Sequence, residues 1–94
     1  MATYIFLSRL TDEGAATIKK NPDRIKEVNH EIEEFGAHVL HQYATLGAYD
    51  FVSVVEAPDL ASIARVSMEL SARGSVKIQT LSAIPIDEFI ADLR

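Results

Sequence analysis

Ninety-four residues with 9 Lys and Arg, 14 Asp and Glu, a net charge of −5 and no cysteine describe a small acidic chain. Residues 1–94 leave room for one hydrophobic core and are expected to form a single domain. The composition excludes a disulfide framework, a thiolate nucleophile and a zinc ribbon, and no stretch approaches the roughly 18 apolar residues of a membrane-spanning helix.

Taken in chain order, Thr3 to Leu10 reads TYIFLSRL, an apolar, β-branched and aromatic run that predicts a first, central strand. Thr11 followed by Asp12 and Glu13 offers a helix N-cap with acids in the first turn, where the helix dipole favours negative charge. Asn21-Pro22 interrupts that helix, because proline cannot donate to the ladder but fits a first helical position with Asn21 as a new cap. From Pro22 onward Ile25, Val28, Ile32 and Phe35 recur at i, i+3, i+7 and i+10, one amphipathic stripe, and Gly36 supplies the stop.

Residues 37–57 hold two strand-like runs, AHVLHQYATL and YDFVSVVEA, and Gly47-Ala48 between them suits a two-residue type II′ hairpin. Pro58-Asp59 opens a further helix with Leu60, Ile63, Ala64 and Leu70 on its apolar side and Gly74 at its end. A fourth strand, SVKIQTLSAI, precedes Pro85, and the tail IDEFIADLR predicts a short last helix with Ile86, Phe89, Ile90 and Leu93 turned inward.

The order βαββαβ plus a C-terminal helix is an α+β, ferredoxin-like sandwich, a four-stranded sheet with both long helices on one face. The other face is left bare. A bare, partly apolar sheet face is expected to meet the same face of a second chain about a two-fold axis, so the partner expected first is the chain itself.

The two-residue hairpin pairs Thr45 with Asp50, Tyr43 with Val52 and His41 with Val54. That parity places Leu40, Gln42, Ala44, Leu46, Tyr49, Phe51, Ser53 and Val55 under the helices. The open face then carries Val39, His41, Tyr43, Thr45, Asp50, Val52, Val54 and Glu56, and a one-residue bulge would swap the assignment. Parity in the first and fourth strands is undetermined.

The segment YATLGAYDFVSVVEAPD, Tyr43 to Asp59, resembles the signature of the GYD family, named for Gly-x-Tyr-Asp, here Gly47, Tyr49 and Asp50. The resemblance extends to the opening TYIFLSRLTDEG, to the helix from Pro22 and to SARGSVKIQTLSAIPIDEF. It implies the dimeric α/β-barrel superfamily, in which two ferredoxin-like chains pack sheet to sheet around a central cavity. Relatives in that superfamily include cofactor-independent monooxygenases, lactone isomerases, haem enzymes and amino-acid-sensing domains. Arginine is common in the family where this chain has Lys77, a departure that weakens any bidentate anion-binding role there.

Four residues are candidates to line the cavity between sheets and bind a small molecule: His41, Tyr43, Thr45 and Asp50. His41 and Tyr43 lie two apart on one strand, about 6 to 7 Å, close enough to touch one ligand, and histidine titrates near neutral pH. Asp50 serves as a general base if a dry cavity raises its pKa, or else fixes the hairpin by bonding Thr45 or backbone amides. Gly47 is expected to supply positive φ, and Tyr49 to pack in the core with its hydroxyl at the edge.

His38 is expected on the opposite face from His41 and His30 on the first long helix, so no metal site is expected. No cofactor is expected; a haem would need His41 as its single axial ligand. No phosphate loop, Ser-His-Asp arrangement or carboxylate pair is present. Glu31, Glu33 and Glu34, with Asp23, Arg24, Lys26 and Glu27, read as a solvated helix face.

The expectation is therefore a soluble, cytoplasmic homodimer that binds a small molecule between its sheets. The alternatives are a non-catalytic oligomerisation or ligand-sensing module, and a cofactor-independent monooxygenase- or isomerase-like enzyme. Nucleic acid and membrane are not expected as partners, since Lys19, Lys20, Arg24 and Lys26 are interleaved with acids.

Overall fold

The computed structural model describes Met1–Arg94. Its elements are β1 (Ala2–Leu10), α1 (Asp12–Lys20), α2 (Arg24–Glu34), β2 (His38–Ala44), β3 (Phe51–Ala57), α3 (Leu60–Ser71), β4 (Val76–Ala83) and α4 (Ile86–Leu93). The strands form one antiparallel sheet in the order β2-β3-β1-β4, with β1 central. This is the ferredoxin-like α+β arrangement. The core joins Tyr4 and Phe6 of β1, Val55 and Ala57 of β3, Ile32 of α2, Ala37, and Ile63, Val66 and Leu70 of α3.

Local chemistry places the helices. The Thr11 hydroxyl caps α1 by accepting from the Gly14 amide (3.1 Å) and donates to the Gly74 carbonyl (2.8 Å), tying α1 to the start of β4. A side chain at Gly14 would stand 2.0 Å from the Ser75 carbonyl oxygen, so only glycine lets the helix sit this close. Asn21 ends α1 as its C-cap instead of starting α2, which begins at Arg24 after Asp23. The two helices do divide around Pro22, but the restart comes later because Asn21 O accepts from Arg24 N, closing a turn before α2 proper. Gly36, at φ +90, follows the end of α2, and the Asp59 carboxylate caps α3 by accepting from the Ser62 amide at 2.8 Å. That bond holds the Asp59 carboxyl below its usual range. On α3, Val66 is buried along with Ile63 and Leu70, while Leu60 and Ala64 face solvent.

Three expectations are corrected. The first is the β2 register, which shifts between Val39 and His41, so that His38 pairs with Glu56, Val39 with Val55, and His41 with Val54. The extra residue, Leu40, is exposed. Val39 therefore packs against the core instead of lining the open face, and His38 shares the open face with His41 because Glu56 and Val54 lie two apart on β3.

The second concerns the turn. The ladder ends at Ala44 and Phe51, and the Thr45 amide donates to the Asp50 carbonyl at 2.8 Å, which closes a loop wider than the two-residue hairpin. Leu46 is fully exposed and pairs with nothing. The Asp50 amide donates instead to the Ser8 carbonyl (2.8 Å), drawing the loop toward β1.

The third is α4. Ile86, Phe89, Ile90 and Leu93 are 67%, 45%, 41% and 72% exposed, and no residue of the helix is buried. Pro85, at φ −53 and ψ 138, sends the chain away after β4, and the molecule is drawn out to 50 × 28 × 19 Å.

Candidate functional site

Alternation along β1 settles the parity left open above. Tyr4, Phe6 and Ser8 are buried beneath the helices, so Thr3, Ile5, Leu7 and Arg9 point to the uncovered side. The registers then set rows across the sheet. One row is His41, Val54, Ile5 and Leu81. The next is Tyr43, Val52, Leu7 and Gln79, and beyond it Arg9 stands opposite Lys77. The open face is thus aliphatic at its centre, with imidazole and phenol on the β2 edge and two cations at one end.

The family signature closes that cationic end. The Arg9 Nε donates to the Ala48 carbonyl at 3.0 Å, and its guanidinium carbon lies 5.6 Å from the centre of the Tyr49 ring. The Tyr49 hydroxyl donates to Oε1 of Gln79. Tyr49 therefore lies over the open face and not in the core. Together with Leu7, Lys77 and Ile78 these groups border an open pocket of about 210 Å³. Arg9 and Lys77 are like charges directly opposite each other, a pairing that repels, and neither joins an ion pair with an acid. The Arg9 guanidinium and the Lys77 ammonium are the charged groups bordering this pocket, and two cations side by side suit an anion.

Asp50 is half-buried, and its Oδ2 accepts from the Leu10 amide at 2.8 Å. The Thr45 hydroxyl donates to the Tyr49 carbonyl at 2.7 Å. Thr45 and Asp50 thus come together as fasteners of the 45–50 turn, and Gly47, at φ +129, supplies the conformation that the turn needs. His41 and Tyr43 come together on the open face, both exposed. None of the four borders either of the two main pockets. Arg9 and Gln79 escaped sequence reasoning, and the signal that could have found Arg9 was the alternation of β1, which places it two residues beyond Leu7.

No three His, Asp or Glu side chains converge as metal ligands, and no helix is long and apolar enough to cross a membrane.

Comparison with known proteins places the chain. A GYD domain profile matches residues 4–92. A Thermus thermophilus protein named "Glutamine synthetase and cystathionine beta-lyase binding protein" is 59% identical over 95 residues, covering all of both chains. The crystal structure of TTHA0845, also from Thermus thermophilus, superposes with a TM-score of 0.59, covering 90% of this chain and 95% of that one. Its sequence identity is 23%, so that likeness is one of fold.

Proposed function

The chain belongs to the GYD domain family, and from that premise we propose that it is a non-catalytic binding protein for metabolic enzymes, glutamine synthetase and cystathionine β-lyase being the first to test. The observation that carries this reading is the 59% identity to a relative named for binding those two enzymes, matched from end to end. Because the whole of that relative is matched, no further domain is needed to account for the binding in its name. The test is biolayer interferometry with purified glutamine synthetase and cystathionine β-lyase from the organism that makes this chain. Saturable binding of either enzyme is expected, with none to an unrelated oligomeric enzyme; failure of both to bind overturns the reading.

The binding form in this proposal is a homodimer. The support is the row of Val54, Ile5 and Leu81 with Val52 and Leu7 beside it, on a sheet face that no helix of the chain covers. Aliphatic area of this kind is stabilised by removal from water at about 25 cal/mol per Å². α4 adds a second reason: isolated helices shorter than about 12 to 15 residues are marginal in water, and this one has 8 residues and buries none. A cover that is always at hand is a second copy of the same chain.

A second reading, a small molecule held between the paired sheets, is favoured by the position of His41 and Tyr43 on adjacent rows of the open face. In it the imidazole and phenol contact the ligand, while Thr45 and Asp50 frame the site through the turn they fasten. Native mass spectrometry of the purified protein tests this reading: a retained small-molecule mass that disappears in a His41→Ala, Tyr43→Ala double variant is expected, and a retained mass that survives the double variant, or none at all, counts against it.

A further inference from the structure

We propose that the layer between α1–α2 and the sheet is a binding site for a small uncharged molecule, a single aromatic ring bearing one hydrogen-bond acceptor. The site lies on the opposite side of the sheet from the face assigned to self-pairing and is independent of that reading.

Two small inward-pointing side chains leave a gap among larger ones at one end of the sheet. On β1 the series is Tyr4, Phe6, Ser8, Leu10, and on β3 it is Val55, Ser53, Phe51, with Ser53 opposite Phe6 and Ser8 opposite Phe51 in the register. Above that end lie α1, whose only buried residue is Gly14, and α2, whose only buried residue is Ile32. Ile18, Ile25 and Val28 reach down without closing the gap and remain half-buried. They border, with Phe6, Leu10 and Phe51, a half-open cleft of about 130 Å³. Apolar cavities of about 150 Å³ take up benzene, so the size class is one ring.

The polar wall sets the ring's substituent. Asn29 Nδ2 donates to Gln42 Oε1 at 2.8 Å, and Gln42 Nε2 donates to Ser53 Oγ at 3.3 Å. A hydroxyl that accepts still has its own hydrogen to donate, and Ser53 is only 4% exposed. The ligand oxygen that receives it is the acceptor in the proposal. Arg24 and Arg73 stand at the rim, and both donate to the Glu31 carboxylate. With Glu27 also 3.8 Å from Arg24, two carboxylates offset the two cations at the rim, so the site favours a neutral ligand over a carboxylate.

The test is a titration of the full chain with benzene, phenol and benzoate, followed by methyl NMR. Saturable shifts are expected at Ile18, Ile25 and Val28, with phenol bound about fivefold more tightly than benzene, the worth of one neutral hydrogen bond, and benzoate more weakly than either. Ser53→Ala removes the advantage of phenol and leaves benzene binding unchanged. Ile25→Phe, which fills the space, abolishes binding of both. Absence of saturable shifts with both benzene and phenol, shifts centred on α4 or the open sheet face, or binding that survives Ile25→Phe overturns the proposal. Should Ile25→Phe fail to fold, the Ser53→Ala comparison decides.

Discussion

The two halves of the helix layer start from the same kind of sequence and end differently. α2 and its C-cap Phe35 carry Ile25, Val28, Ile32 and Phe35 on one stripe, and only Ile32 is buried; α3 carries Ile63, Val66 and Leu70 and buries all three. The helical period is equally good in both. What differs is the surface beneath: Ile63, Val66 and Leu70 join one apolar cluster with Tyr4, Phe6, Val55 and Ala57, whereas Ser8, Gln42 and Ser53 lie on the side walled by α1 and α2. Burial of a helical stripe is therefore decided by the strands it meets.

The largest expected effect breaks that comparison directly. Ile63 is 0% exposed, and Ile63→Ala should cost about 4 kcal/mol, toward the upper end for large-to-small changes in a packed core. Ile25→Ala removes the same atoms from a half-buried wall and should cost about 1 kcal/mol. Urea titrations of both variants measure the difference. Equal losses would mean that the α1–α2 half is packed as tightly as the α3 half.

The two faces of the sheet offer a similar contrast in adjacent residues. Val55 is 0% exposed under the helices, and Val54 points the other way from the centre of the open face. Val55→Lys buries an unpaired charge and should leave the chain unfolded by circular dichroism. Val54→Lys should fold, because its ammonium reaches water in the monomer, but it should shift the proposed homodimer to half its mass in light scattering, a loss of about 3 kcal/mol or more of association energy. A Val54→Lys variant that keeps the wild-type mass removes the open face from the interface.

The element order was legible from punctuation. Pro22 falls between α1 and α2, and Gly36, Pro58, Gly74 and Pro85 fall between helices and strands, since each sets a backbone conformation that a continuing element cannot use. The pairing of His41 with Val54 and Tyr43 with Val52 was legible as well, because cross-strand distance is counted outward from a turn. The bulge at Leu40 was not: it depends on which side chain the core accepts at the far end of β2, and Val39 won that place. The apolar positions of α4 were visible, but their destination was not, because a period says that a face exists and not what covers it. Likewise, Tyr49 looked like a core residue from its flanks, and only the docking of the 45–50 turn against β1 shows it stacked on Arg9.

That docking gives a smaller prediction. Asp50→Ala leaves the Leu10 amide without the acceptor it has at 2.8 Å and should destabilise the fold by about 2 kcal/mol, the cost of orphaning a partly buried donor. The same change frees the loop that carries Ala48 and Tyr49, so the Arg9 guanidinium loses both its carbonyl and its aromatic neighbour. Faster amide exchange confined to residues 45–50 and Leu10 would mark this as a turn defect. Protection unchanged at Leu10 would show that the carboxylate does not hold that amide.

The smallest effect lies where the two helical halves are joined. Glu31 on α2 accepts from Arg24 of the same helix at 3.1 Å and from Arg73, which follows α3. The Arg73 hydrogen bond, opposed by partial burial and helped by Arg24, holds the Glu31 carboxyl below its ordinary value of 4.5. A carboxylate whose folded pKa is depressed adds stability that is fully present above its unfolded pKa and is lost as pH falls through the folded value. Glu31→Gln should therefore cost less than about 1 kcal/mol near pH 7, as expected for a pair in contact with water. Its stability curve should converge on the wild-type curve as the solution is taken from about pH 5 to below pH 4. Added salt should narrow the gap at pH 7 as well, because the rim is within reach of screening ions. A gap that stays constant down to about pH 3 would show that Glu31 joins α2 to the end of α3 by packing and not by charge.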